Sequence, residues 1–369
     1  MTAYSSVPGA ALRELSERTS LTLPNGRLNP DAVGWARQPI IDTSGIARGR
    51  GRNKRWEYWN VTTPTHILAL TVSSIDYAAV HEVWVLDRAT ERSWGKTSTL
   101  IPTRGAELPA AVESGRARAR AKGLEIDIDS SAGAGVETAS GAEADSDPEG
   151  GSGPEAGPGA ARRTRLRART TDVAFDVVAE LPDAHERLAV VVPWSSTRFQ
   201  YTVKDVARPA WGSLTIEGVT YDVPAGESWA VLDHGRGRWP YDVRWNWGAG
   251  SGRSGDHVVG IQVGGRWTAG TGSTENAVYV DGRLHKIHDE LTWEYDLAEW
   301  RQPWRVTGGG LEASFTPFYD KTSRMNLGVV SSRTDQCFGH WSGSFAVADG
   351  SPLTFAGILG WAEEVHNRW

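Results

Sequence analysis

Ionisable side chains set among tryptophans equip one stretch of this chain for chemistry: Trp229–Gly250, WAVLDHGRGRWPYDVRWNWGAG. Charged groups beside large aromatics are the raw material of a ligand pocket, because the aromatic wall displaces water and shifts the pKa of what it surrounds. Asp233 and His234 are neighbours. A strand would point them to opposite faces, whereas Gly235 and Gly237 suggest a turn that presents both. A buried Asp held neutral is a proton donor, and His titrates near neutrality. From Asp242 to Trp247, strand alternation puts Asp242, Arg244 and Asn246 on one face and Trp245 and Trp247 on the other. Arg244 and Asn246 would then hold the polar end of a ligand. In GWAEEVHNRW the same alternation groups Glu364, His366 and Arg368 against Trp361, Glu363, Val365 and Trp369. A Glu and a His two apart suit acid–base work. TGSTENAVYV sets Glu275 and Asn276 at the mouth of a strand.

The expected catalytic residues are therefore Asp233, His234 and Glu364. The expected ligand contacts are Arg244, Trp245, Asn246, Trp247, Glu275, Asn276 and Trp361. Asp233, Arg244, Asn246, Glu275 and Glu364 are expected to converge on one cavity walled by Trp245 or Trp247, because unpaired polar groups are costly to bury. Each also has a plain structural reading: a turn cap, a satisfied ion pair, or charge on a solvated strand. Alternation alone leaves open which face of the Trp-rich strand lines the cavity.

The elements that must position these residues read as short strands. HILALTV, HEVWVLD, LAVVVPW, RFQYTVK, SLTIEGVTYDV, HVVGIQV and AVYVDGRLHKI are β-rich runs, the longer ones turning at Glu217-Gly218 and Asp281-Gly282. Helical periodicity is confined to Ala10–Arg18 and a turn at Pro30–Trp35. Many short strands mean a sandwich or barrel. Arg48, Arg50, Arg52 and Lys54 alternate, so a strand would align them as an anion contact or a solvated edge. From about 103 to 170 the composition changes. Ser130–Ala161 is Ala, Gly, Ser, Pro and acid without an aromatic, flanked by the basic runs Arg116–Lys122 and Arg162–Arg169. Such a segment buries too little apolar area to offset its ordering entropy and reads as a disordered insertion.

Composition narrows the function classes. The chain of 369 residues carries 18 Trp against 9 Tyr and 7 Phe, and Trp suits half-buried sheets and cavity walls. A net charge of −6 argues against nucleic acid as the main partner. Cys337 stands alone, so no internal disulfide forms, and this fits a reducing compartment. No secretory leader and no run of about 18 apolar residues is visible, so the expected location is cytoplasmic, with no membrane span. No HxH, HExxH or Cys cluster, P-loop or dinucleotide fingerprint occurs, so no metal and no cofactor are expected. The oligomeric state is left open.

RWEYWNVTTP, PWSSTRFQYTVK, AVLDHGRGRWPYDVRWNWGAGSG, TGSTENAVYVDGRLHKI, FTPF, NLGVV and GWAEEVHNRW, in this order, resemble a bacterial family known as a domain of unknown function, number two-eight-zero-four. The likeness runs from about Gly26 to Trp369 outside the 103–170 insertion. Asp233-His234-Gly235, Trp245-Asn246-Trp247 and Gly360-Trp361-Ala362-Glu363-Glu364 also resemble, more distantly, the carotenoid hydratase (hydroxyneurosporene synthase) and AttH-like group, with Gly235-Arg236-Gly237 where that group carries a Trp. This second resemblance implies two lipocalin-like (calycin) β-barrels and apolar polyene substrates. The expectation is an all-β protein with halves at about 20–225 and 226–369. Its function would be acid-catalysed hydration, isomerisation or cyclisation of a lipid- or terpenoid-like molecule. The alternatives are a non-catalytic carrier of a small apolar ligand, or a structural or interaction protein.

Overall fold

Alternation of apolar and polar residues governs nearly the whole chain, and the computed structural model turns it into strands. It describes residues 11–48, 53–130, 162–326, 328, 330–347 and 351–368. Strands account for 67% of the chain and helix for 2%, arranged as two curled half-barrel sheets. In the first sheet, Lys54–Thr62 begins a meander through His66–Ser74 and Ala79–Asp87 to Ser93–Leu100. On its other side it pairs with Val219–Arg238, which leads through Arg198–Ile216 to Val173–Leu181 and Arg162–Thr170. The second sheet repeats the plan: Asp242–Ser254 lies between His257–Gly265 and Pro352–Arg368, followed by Ser331–Ala346 and Leu311–Asn326. Glu217-Gly218 and Asp281-Gly282 make two-residue hairpins with positive φ at both positions (49° and 86°; 50° and 80°), as the right-handed twist of flanking strands favours.

Each strand's two faces feed different cores. Trp59, Leu70, Val83 and Leu232 point into the concave first half. Ile261, Trp304, Phe315 and Trp341 fill the second. Between the sheets lies a third core, where Trp84, Val231 and Leu86 meet Trp247, Phe338 and Trp361. Apolar residues between Leu15 and Ile46 cover the flank of Phe199–Val203.

Several expectations need correction. Residues 11–18 are not helical: Leu15 and Arg13 exchange backbone hydrogen bonds with Trp35, so the segment lies along an edge. Pro30–Ala32 does form a helical turn, capped by the Asn29 side chain. Arg48 ends a 3-10 turn and the strand starts at Lys54, while Arg50 and Arg52 lie outside the described residues. Within 103–170, Arg116–Ala121, Leu124–Asp129 and Arg162–Thr170 are paired strands of the first sheet. Their alternate Ala, Ile and Leu residues face the core while Arg116, Arg118, Arg165 and Arg167 pair with acids on neighbouring strands. The expected disorder at Ser130–Ala161 falls, from 131 on, outside the described residues. A division at 225/226 falls inside Val219–Arg238; the second sheet begins at Asp242.

Candidate functional site

Strand register brings the site together. In the first sheet Asp233 stands opposite Tyr58 on one neighbour and Lys204 on the other. In the second, Glu363 stands opposite Trp247 and Gln336. The two arrangements are counterparts, and both carboxylates point into the core between the sheets. Two residues before Tyr58, Trp56 donates its indole N–H to Asp233 Oδ2 at 3.0 Å. Two residues before Trp247, Trp245 donates to Glu363 Oε1 at 2.9 Å. Tyr58 and Trp247 meet edge to face, their ring centroids 5.7 Å apart.

A third carboxylate joins them. Trp267 donates its N–H to Glu275 Oε1 at 2.5 Å. The three donor indoles share one neighbour, the ring of Trp239, at 5.7 Å from Trp56, 5.5 Å from Trp245 and 5.3 Å from Trp267, the last stacked at 7°. Trp194 closes the cluster. Trp56, Trp194 and Trp245 remain partly exposed, so the aromatic cluster has an outer rim, while Asp233, Lys204, Glu275 and Glu363 are each at most 7% exposed.

Lys204 is the cation of this group. Its Nζ lies 3.1 Å from Asp233 Oδ1, 3.3 Å from Glu275 Oε2 and 4.0 Å from the centroid of the Trp247 ring. Burial works against the ammonium, but Asp233 and then Glu275 outweigh it and raise its pKa. Burial raises Glu275, opposed chiefly by Lys204. Where the first half supplies a lysine, the second supplies Gln336, whose amide donates to Glu363 Oε2 at 3.0 Å. Burial accordingly pushes the Glu363 carboxyl up to about 7, only partly offset by Trp245 and Lys204. One lysine among three carboxyls favours retention of a proton in the group.

The sign of the resulting pH dependence is fixed. A carboxyl raised on folding binds its proton in the native state where the unfolded chain has released it, so stability falls as pH rises. For Glu363 the window runs from the ordinary Glu value of about 4.3 to about 7. Urea unfolding at pH 5 and pH 8 is expected to differ by a contribution on the order of 3 kcal/mol from this group. That contribution should vanish in Glu363→Gln.

Of the residues singled out in the sequence, the structure gathers Asp233, Glu275, Trp245, Trp247 and Trp361, the last edge to face with Trp247 at 5.0 Å. Asn246 and Glu364 lie together on the opposite face of the same strands: Tyr295 donates to Glu364 Oε2 at 2.5 Å, and Asn246 Nδ2 donates to Tyr295 Oη at 3.0 Å. Arg333 and Arg266 pair with Glu364 there, so the carboxylate is held structurally by guanidinium groups. His234 is buried on the concave side of the first half, 3.3 Å from Glu57; no turn presents it with Asp233, because Val219–Arg238 remains extended through Gly235 and Gly237. Asn276 accepts from the Gly264 N–H at 2.7 Å and ties strands together. Arg244 sits near the strand's start and is exposed, away from the cluster. Lys204, Gln336, Glu363, Trp56, Trp239 and Trp267 join the site without being among the residues expected from the sequence. Lys204 alternates with the apolar Phe199, Tyr201 and Val203 and so reads as a solvated residue; only the packing of the second sheet buries it with Gln200 and Thr202.

Two clefts lie elsewhere. One of 360 Å³ runs over the ion-paired outer face around Arg118, Asp127 and Arg167. One of 270 Å³ lies where the sheets meet, lined by Thr63, Arg88, Trp229, Ser251 and His340. Neither includes the tryptophan-bound carboxyls.

The family model described as a domain of unknown function, DUF2804, matches residues 12–369. No curated protein matches the sequence. Among solved structures, kievitone hydratase from Nectria haematococca is similar at 11% identity and a TM-score of 0.48, covering 86% of this chain and 89% of its own. A putative AttH from Nitrosomonas europaea is similar at 12% identity and a TM-score of 0.48, covering 97% and 98%.

Proposed function

The chain belongs to the DUF2804 family, and from its buried carboxyls we propose that it is an acid–base enzyme acting on a small apolar, unsaturated substrate at the tryptophan cluster. The observation that carries this reading is the unequal environment of two counterpart acids. Asp233 faces Lys204, and Glu363 faces the neutral Gln336. Environments that separate matched carboxyls in this way assign one as acid and the other as fixed negative charge.

In this mechanism the neutral Glu363 gives its proton to an alkene carbon. The cation that develops on the neighbouring carbon is stabilised by indole faces and by the Asp233 carboxylate. Water then adds and its proton returns to Glu363, giving hydration, or a proton leaves an adjacent carbon to Glu363, giving isomerisation. An internal alkene attacking the cation would close a ring and move the charge to a new carbon, from whose neighbour a proton leaves to Glu363, giving cyclisation. Lys204 is the ion-pair partner of Asp233 and bridges it to Glu275. The partly exposed Trp56, Trp194 and Trp245 supply the entrance and an apolar contact surface.

The test starts from the ligand. Small molecules co-purified with the protein are identified by untargeted mass spectrometry and returned to the protein in D2O. Deuterium bound to carbon in the recovered ligand is the expected result. A ligand that binds and returns unlabelled would identify a carrier instead.

A further inference from the structure

The concave side of the first half carries a second polar group that the tryptophan cluster does not use. Along Lys54–Thr62, alternate residues Arg55, Glu57 and Trp59 face inward. Register places Arg55 between Arg236 and Ser74, and Glu57 between His234 and Val72, with His81 next beyond Val72. With strands about 4.8 Å apart, these residues form two adjacent polar rows at one end of an otherwise apolar interior. Ser74, His81, His234, Glu57 and Arg236 are all buried.

The group is short of acceptors. Arg236 spends its guanidinium on the backbone oxygens of Trp56, Gly235 and Pro109. Glu57 is the carboxylate within reach, 3.3 Å from His234 and 3.8 Å from Arg236. Among the described residues, Arg55 Nε, Ser74 Oγ and His234 Nε2 are buried without a hydrogen-bond partner, and the His81 ring faces the Arg104 backbone. Such orphans are rare in folded proteins and cost free energy unless a ligand or ordered water meets them. The charges do not cancel either: two guanidinium groups face one carboxylate. Burial, then Arg236, lowers His234 to about 4, so the imidazole adds no positive charge near neutral pH. Burial, with Arg55 adding to it, takes Arg236 down to about 10.

We propose that this end of the first half is a binding site for a small monoanionic carboxylate, held by Arg55, Ser74 and His81 and separate from the tryptophan cluster. A carboxylate accepts from several donors at once, matches guanidinium geometry, and brings the two-to-one charge to balance. Partly exposed Arg55 gives the approach, and the segment that contains Arg104 and Pro109 covers the rows.

The test uses the whole chain and sodium acetate as probe, against sodium chloride at equal ionic strength. Titration calorimetry is expected to show saturable acetate binding. Arg55→Gln should weaken it at least tenfold, and so should Ser74→Ala, which removes the hydroxyl with little change of volume and serves if the arginine variant folds poorly. The ring resonances of His81 should shift on titration with acetate. Absence of saturable binding would overturn the proposal, as would equal binding of chloride and acetate or wild-type affinity in both variants. The first of these outcomes would mean that ordered water alone meets the orphan groups.

Discussion

Lys204→Met is expected to cost the fold about 3–5 kcal/mol, since it leaves buried carboxylates without their cation. Lys204 lies within 3.3 Å of both Asp233 and Glu275 and over the face of Trp247, and it is itself buried. Methionine fills the same stem volume, so packing loss is small and the effect isolates the charge. Without the ammonium, folding must either desolvate two anions or protonate them. Carboxyls buried without a cation hold their protons to higher pH than they do in the unfolded chain, so the deficit should grow with pH. Urea unfolding at pH 5 and pH 8 would show this, with the larger loss at pH 8. An unchanged midpoint at both pH values would remove Lys204 from its central place in the cluster.

Glu363→Gln is the second large expected effect, and under the proposed function it falls on catalysis. Loss of a general acid typically costs 10²- to 10⁴-fold in rate. The variant keeps the fold for a local reason. A glutamine oxygen still accepts from Trp245, and an amide turn of Gln336 allows its oxygen to accept from the new amide. Deuterium incorporation into the co-purified ligand should therefore fall by two orders of magnitude or more, while ligand affinity holds within a few-fold. Retained turnover would exclude Glu363 as the donor. Asp233→Asn serves as a companion: it removes the fixed charge and strands Lys204 on Glu275 alone, so both rate and stability should fall.

Strand alternation made the fold readable but could not choose between the faces of a strand. The alternation in GWAEEVHNRW separates Glu363 from Glu364 correctly. Which of them meets the tryptophans depends on how the second sheet packs against the first, and the strand's own pattern does not encode that. The adjacent carboxylate, paired with the His at 366, was the more legible choice, yet it is claimed by Arg333 and Arg266. Gly235 and Gly237 read as a turn because glycine is usual there. Here they make room instead: a Cβ on Gly235 would lie 2.1 Å from the Trp56 ring and one on Gly237 2.0 Å from Gln200. A different signal was present in the sequence. Trp56-Glu57-Tyr58 and Trp245-Asn246-Trp247 are counterparts, as are Asp233-His234 and Glu363-Glu364. These pairs are short and too dissimilar to stand out before the registers align them.

The pairing of Lys54–Thr62 with Val219–Arg238 also governs how the molecule comes together. The bond between Trp56 and Asp233 joins residues 177 positions apart, whereas the hairpins at Glu217-Gly218 and Asp281-Gly282 are closed by immediate neighbours. Closing so long a loop costs entropy before any contact repays it, so local hairpins precede this seam in folding. Until the seam closes, two long strand edges stand open, and such edges recruit other chains. The strands that carry Trp56 and Asp233 are thus also a pair of edges open to other chains until the seam closes.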